Sequence, residues 1–294
     1  MAAVTSSQAA SGGQPDVRQL VSDLEDWWIV TVHQLRHYLR TNRFFCLLGF
    51  VFAVSAITLT FQVSVGVATE RLWQLYHPSE YVCNFLGYAP LWIILAAAFF
   101  GGDALSVDFS TGAGYYMLVL PIRRSVLLVG RYAAAALATF AIVALYYAFA
   151  IAGGAYFFSL ASLPWVGIGE SLGLAALFTL ATLSVAFCIS SFIRTPAAGV
   201  LITILALYIG FIALGNAAQL ASLEQWYSLN YAGGAIFSVL DTDFIHQQLV
   251  PLGAGQYYTI WTATVQEGIE IMAGYIAAFL PLTVYLYHRK ESSG

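Results

Sequence analysis

The sequence predicts an all-α membrane protein that crosses the bilayer six times, with both chain ends in the cytosol. Three observations carry that prediction. Only 9% of residues are charged and 60% are hydrophobic, at a mean hydropathy of +0.77, whereas a soluble domain carries about 25% charged residues. Six apolar runs, at about 44–67, 85–107, 126–158, 167–193, 197–217 and 269–287, each come near the roughly 20 residues that a membrane helix needs. Ten of the eleven basic residues fall on segments that this count of spans puts on one side.

Residues 1–15 are small and polar, with no apolar core of the kind a signal peptide carries, and read as a disordered tail. Residues 16–42 read as a helix. Val17, Leu20, Leu24, Trp28, Val32, Leu35 and Leu39 recur in steps of three or four, and Arg18, Asp23, Glu25, Asp26, Arg36, His37 and Arg40 take the other face. Its length nearly spans a bilayer, but its charges forbid crossing. It reads as an amphipathic helix lying in the interface, or packed on a partner at the membrane surface. The membrane domain follows at 43–288, with a short tail at 289–294. The run at 126–158 is too long for one straight crossing, so it tilts or its end emerges, and Gly153-Gly154 is a place for it to bend.

Charge then orients the chain. Arg18, Arg36, Arg40, Arg43, Arg123, Arg124, Arg131, Arg194, Arg289 and Lys290 fall on the inner side, and only Arg71 on the outer. The inner loops are 108–125 and 194–196; the outer ones are 68–84, 159–166 and 218–268. The last is acidic and aromatic, with Glu224, Asp241, Asp243, Glu267, Trp226, Tyr257, Tyr258 and Trp261. Its apolar patches, 235–240 and 244–249, suggest short helices at the outer interface.

The inner loop at 108–125 is the one substantial polar interruption in the first two thirds of the chain. Asp103 and Asp108 mark a solvated exit from the second run. Ser110 or Thr111 can cap a new helix. Residues 115–120, among them Tyr115, Tyr116 and Leu118, are apolar and aromatic, and Pro121 disfavours helix at Leu120. The result is a short helix over about 110–120, held across the inner face. Its apolar side must rest on the inner leaflet or on a protein.

This region resembles the type-2 permeases of ATP-binding-cassette (ABC) transporters. The residues that carry the resemblance are Asp108, the apolar 115–120, Pro121-Ile122-Arg123-Arg124 and Leu127-Leu128-Val129-Gly130-Arg131. The six-span plan, the leading helix and the Arg194-Thr195-Pro196-Ala197 turn agree with it. Many members carry Glu and a Gly-Thr pair where this chain has Asp108-Phe109-Ser110-Thr111-Gly112. The resemblance implies a transport subunit that is not itself an enzyme. It implies a second permease copy, the same or related, and a separate ATPase chain that carries the ATP and magnesium. It makes 110–120 a coupling helix, with Asp108, Thr111, Tyr115, Tyr116, Leu118, Pro121, Arg123, Arg124 and Arg131 at the contact. Arg123 and Arg124 meet acidic groups on the ATPase or anionic lipid, or only set topology. The resemblance also places the pathway along the second and fifth runs, where the candidates are Phe99, Phe100, Tyr208, Phe211 and Asn216. Ala206, Gly210 and Ala213 suit close helix contact, as at a dimer seam.

Other classes find less support. A P-loop needs a lysine against the phosphates, and the only lysine is Lys290. An ion-gradient-driven transporter usually places ionisable groups at mid-bilayer, and the first, third and fifth runs have none in their middles. Glu267 and Glu270, one turn apart, open the sixth run either as an outer helix start or as a functional pair at the pathway exit. An intramembrane enzyme needs a nucleophile with a matching base, and none is apparent. His33 and His37 read as solvated, and Cys46, Cys83 and Cys188 are scattered, so no metal spacing appears. No basic run suggests nucleic acid. With no charged central pocket, an apolar or amphiphilic cargo exported across the cell membrane fits best.

Overall fold

The computed structural model describes residues 17–68, 77–107, 123–193, 195–221, 223–241, 244–253 and 256–291. The chain is mostly helical. A leading helix, Val17–Arg40, is followed by six stretches long and apolar enough to cross a membrane: Asn42–Phe61, Pro78–Gly101, Arg124–Phe158, Trp165–Phe192, Pro196–Ala218 and Val265–Tyr287, spans 1 to 6. Two short helices, Leu229–Gly233 and Ala235–Ser238, lie between spans 5 and 6.

Three local features depart from the sequence expectation. Span 2 begins seven residues earlier than the predicted start at 85, at Pro78, and is two helices, Pro78–Leu86 and Ala89–Gly101. Pro90 has no N–H to give the preceding turn, so the helix breaks at Gly87-Tyr88. Span 5 contains a π-helical turn, Leu205–Gly210. The fold is also not purely α. Strand β1, Gln247–Gly253, pairs antiparallel with β2, Gln256–Trp261, with Leu249 opposite Thr259. The helix expected at 244–249 is therefore replaced, while 235–240 does contain one. Gly253-Ala254-Gly255 supplies the turn, and the run after it, Tyr257-Tyr258-Thr259-Ile260-Trp261, is rich in β-branched and aromatic residues.

Span 4 is the axis of the bundle. It is 67% buried and packs against spans 2, 3, 5 and 6. Two of its interior hydroxyls are satisfied within the helix: Thr179 donates to Ala175 O and Thr182 to Phe178 O. This back-bonding lets polar residues sit in an apolar core. Spans 1, 5 and 6 are only 22%, 17% and 11% buried, so most of their surface faces outward.

Span 3 stays helical throughout Arg124–Phe158, including Gly153-Gly154. Those glycines serve close packing. A Cβ on Gly153 would lie 2.0 Å from Tyr81 Oη of span 2. At the other end of the bundle a Cβ on Gly199 would lie 2.1 Å from the backbone oxygen of Gly102, so spans 2 and 5 meet there backbone to backbone.

Candidate functional site

The helices alternate in direction, which gathers distant residues at two ends. At one end, the chain just beyond span 2 is gripped from three sides. Arg43, at the start of span 1, pairs with Asp103. Arg131, early in span 3, donates to Ala104 O at 3.1 Å. Ser190, late in span 4, accepts the N–H groups of Leu105 and Ser106 at 3.1 and 3.3 Å. Asp103 is therefore not the solvated exit the sequence suggests, since its side chain is 7% exposed. Burial raises its carboxyl pKa, and the Arg43 guanidinium acts against that rise without cancelling it.

The leading helix lies across this end. Thr31 Oγ1 bonds Gly130 O of span 3 at 3.3 Å, and the Tyr38 hydroxyl bonds Phe100 O of span 2 at 3.0 Å. A Cβ on Gly130 would lie 2.7 Å from Val30, so glycine there lets the two helices close up. The docked row runs through Trp27, Thr31, Gln34 and Tyr38. Of the predicted apolar stripe, Leu35 packs against the core. Leu24, Trp28 and Leu39 remain 65%, 58% and 40% exposed, so the bundle does not account for them.

Two ion pairs bracket the segment 108–122. Arg43–Asp103 precedes it, and Arg123–Asp23, at 2.8 Å, follows it and returns to the leading helix. Asp108, Thr111, Tyr115, Tyr116, Leu118 and Pro121 lie outside the described residues. Arg124, the first residue of span 3, is exposed, and Arg131 is buried. A cleft of about 400 Å³ opens beside the bracket, lined by His33, His37, Tyr38, Arg43, Asp103 and Arg131 among others.

The five pathway candidates do not converge. Phe99 and Phe100 both line that cleft, and Phe100 also packs on Tyr38, with ring centroids 5.2 Å apart. Phe100 is thus a packing residue of the leading helix. Tyr208, on the π turn, borders a second cleft of about 380 Å³ at the opposite end, between the break in span 2, the short helices and β2. Phe211 meets Tyr275 of span 6 edge-on at 6.0 Å. Asn216 is exposed.

At that opposite end, Glu267 and Glu270 part company. Glu267 accepts from Thr264 N at 2.9 Å while its own N–H reaches Thr264 Oγ1 at 3.3 Å, a reciprocal capping box that starts span 6. Glu270 is exposed and holds Gln266. Glu267 also accepts from the Tyr231 hydroxyl at 3.2 Å. Burial, then Glu267 and Glu224, push the Tyr231 phenol pKa up. His246 lies between Glu224 and Glu267, 3.9 Å from each. One side-chain atom from each of the three comes within 4.8 Å of the others, a set able to hold a metal ion. Sequence spacing could not reveal it, because three separate segments supply one donor each. No protein-family model and no curated protein matches the chain.

Proposed function

We propose that this chain is the membrane-spanning subunit of an ABC exporter, moved by a separate ATPase chain that docks on residues 108–122. The observation that carries the reading is the bracket: the leading helix and the start of span 1 hold both flanks of that segment through Asp23–Arg123 and Arg43–Asp103. A push on 108–122 passes through these pairs to spans 1, 2 and 3 together. The exposed apolar row of the leading helix suits the inner leaflet. Arg36, Arg40, Arg43, Arg123, Arg124 and Arg131 share this end, which is the cytosolic side by the charge rule. Two copies pack through the exposed faces of spans 1 and 5 and form the pathway between them, since the candidate lining residues of one chain do not meet. ATP and magnesium bind on the partner. Energy reaches an apolar or amphiphilic cargo as a difference in affinity between inward-open and outward-open states.

Purification of the full chain from its native membrane tests this. A P-loop ATPase co-purifies, and Tyr115→Asp with Leu118→Asp abolishes ATP-dependent flux in vesicles while helical content is kept. Normal ATP-driven flux in that variant, or flux driven by an ion gradient with no ATPase bound, contradicts the reading.

A further inference from the structure

We propose that Glu224, His246 and Glu267 form a binding site for one divalent ion of the zinc class at the end of the bundle opposite the leading helix. The geometry begins with the imidazole. His246 Nδ1 is 2.9 Å from Thr262 O. A carbonyl only accepts, so Nδ1 carries a proton, and in the neutral ring, the form that binds a metal, Nε2 is left as the ligand atom. Its lone pair faces Glu224 Oε1 at 3.9 Å. Two acceptors facing each other at this distance repel, and a cation between them turns the repulsion into ligation.

The dimensions suit a small ion. Tetrahedral zinc with nitrogen and oxygen ligands holds neighbouring donor atoms about 3.4 Å apart. A closure of about half an ångström, within reach of side-chain rotation, brings Nε2 and Glu224 to that spacing. Glu267 supplies the third donor from the Nδ1 side of the ring, where its Oε2 lies 3.9 Å away; the three donor atoms span up to 4.8 Å, so this carboxylate makes the larger move, and Tyr231 and Thr264 N steady it. Around a metal, such outer partners fix ligand orientation: a ligating histidine commonly donates its other N–H to a carbonyl, as His246 does to Thr262. The Trp261 ring stands against His246, with centroids 5.3 Å apart, and holds the imidazole plane. One nitrogen and two carboxylate oxygens suit zinc-class ions, whereas magnesium and calcium prefer all-oxygen sets. The ion would cross-link three pieces separated in sequence: the loop after span 5, the lead-in to β1 and the first turn of span 6. The site does not depend on the transport reading.

The test is a calorimetric titration of the chelator-stripped full chain in detergent with zinc, repeated with magnesium. The wild type takes up one zinc and no magnesium. His246→Ala abolishes the uptake, Glu224→Gln and Glu267→Gln weaken it at least about tenfold, and Tyr231→Phe weakens it about tenfold as an outer partner. A chain with His33→Ala and His37→Ala, which removes the other close histidine pair, binds zinc as the wild type does. Because Glu267→Gln also touches a helix cap, Glu224→Gln is the variant read against an unchanged circular dichroism spectrum and elution volume. Absence of saturable zinc uptake by the wild type overturns the assignment. So does uptake that survives His246→Ala, or that disappears only with His33 and His37.

Discussion

The two ends of the bundle are built from different interactions. At the leading-helix end, arginines close the structure: Arg43 on Asp103, Arg123 on Asp23 and Arg131 on a backbone carbonyl. At the opposite end hydroxyl bonds and packed rings do the work. Tyr146 bonds Phe85 O, Tyr147 meets Ser171 at 2.7 Å, and Ser171 bonds Ile236 O at 2.6 Å. The charges there are acidic, among them Glu224, Asp241, Glu267 and Glu270. At the leading-helix end the Arg123–Asp23 pair is largely exposed and can part at little cost, while Asp103 and Arg131 stay buried. The opposite end is closed by buried hydroxyl bonds and packed rings, which part less readily. The exposed pair suits a hinge and the hydroxyl-bonded end a fixed cap.

That contrast can be broken by substitution. The largest effect is expected where backbone meets backbone. Gly199→Ala forces spans 2 and 5 apart and costs about 3 kcal/mol in detergent unfolding, and Gly153→Ala costs less, because its obstacle is the end of a tyrosine side chain. Next comes Arg43→Leu, which leaves the buried Asp103 carboxylate alone. We expect a loss of about 2 kcal/mol near neutral pH, below the cost of breaking a fully buried pair because Arg43 is 56% exposed. The sign with pH follows from the raised carboxyl pKa. The folded state then holds its proton more tightly than the unfolded chain, so stability falls as pH rises above the unfolded value of about 3.9 towards the raised folded value. Chemical unfolding of this variant across that range should show stability declining more steeply than in the wild type. Thr264→Ala removes half of the capping box at the rigid end and costs about 1 kcal/mol, read by the same unfolding. Asp23→Ala is the smallest, below about 1 kcal/mol for an exposed pair, yet it should lower coupling of ATP hydrolysis to flux if the bracket transmits motion.

Much of the fold was legible because lipid imposes a simple rule. Long apolar runs must be helices, so span positions followed from composition, and the leading helix followed from the spacing of Val17 to Leu39. The details that failed are those where tertiary contact overrides local pattern. Asp103 reads as solvated until Arg43, far off in sequence, reaches it. The Glu224, His246 and Glu267 cluster has no sequence pattern, since chain folding alone assembles it.

The central claim is that residues 108–122 receive the push of an ATPase. A photo-crosslinking amino acid at position 115, activated in native membranes, tests it most directly. The account predicts an adduct with a P-loop ATPase, and no such adduct from the same probe at position 257 in the cap. An ATPase-free adduct pattern at 115, or an ATPase adduct at 257, would contradict it.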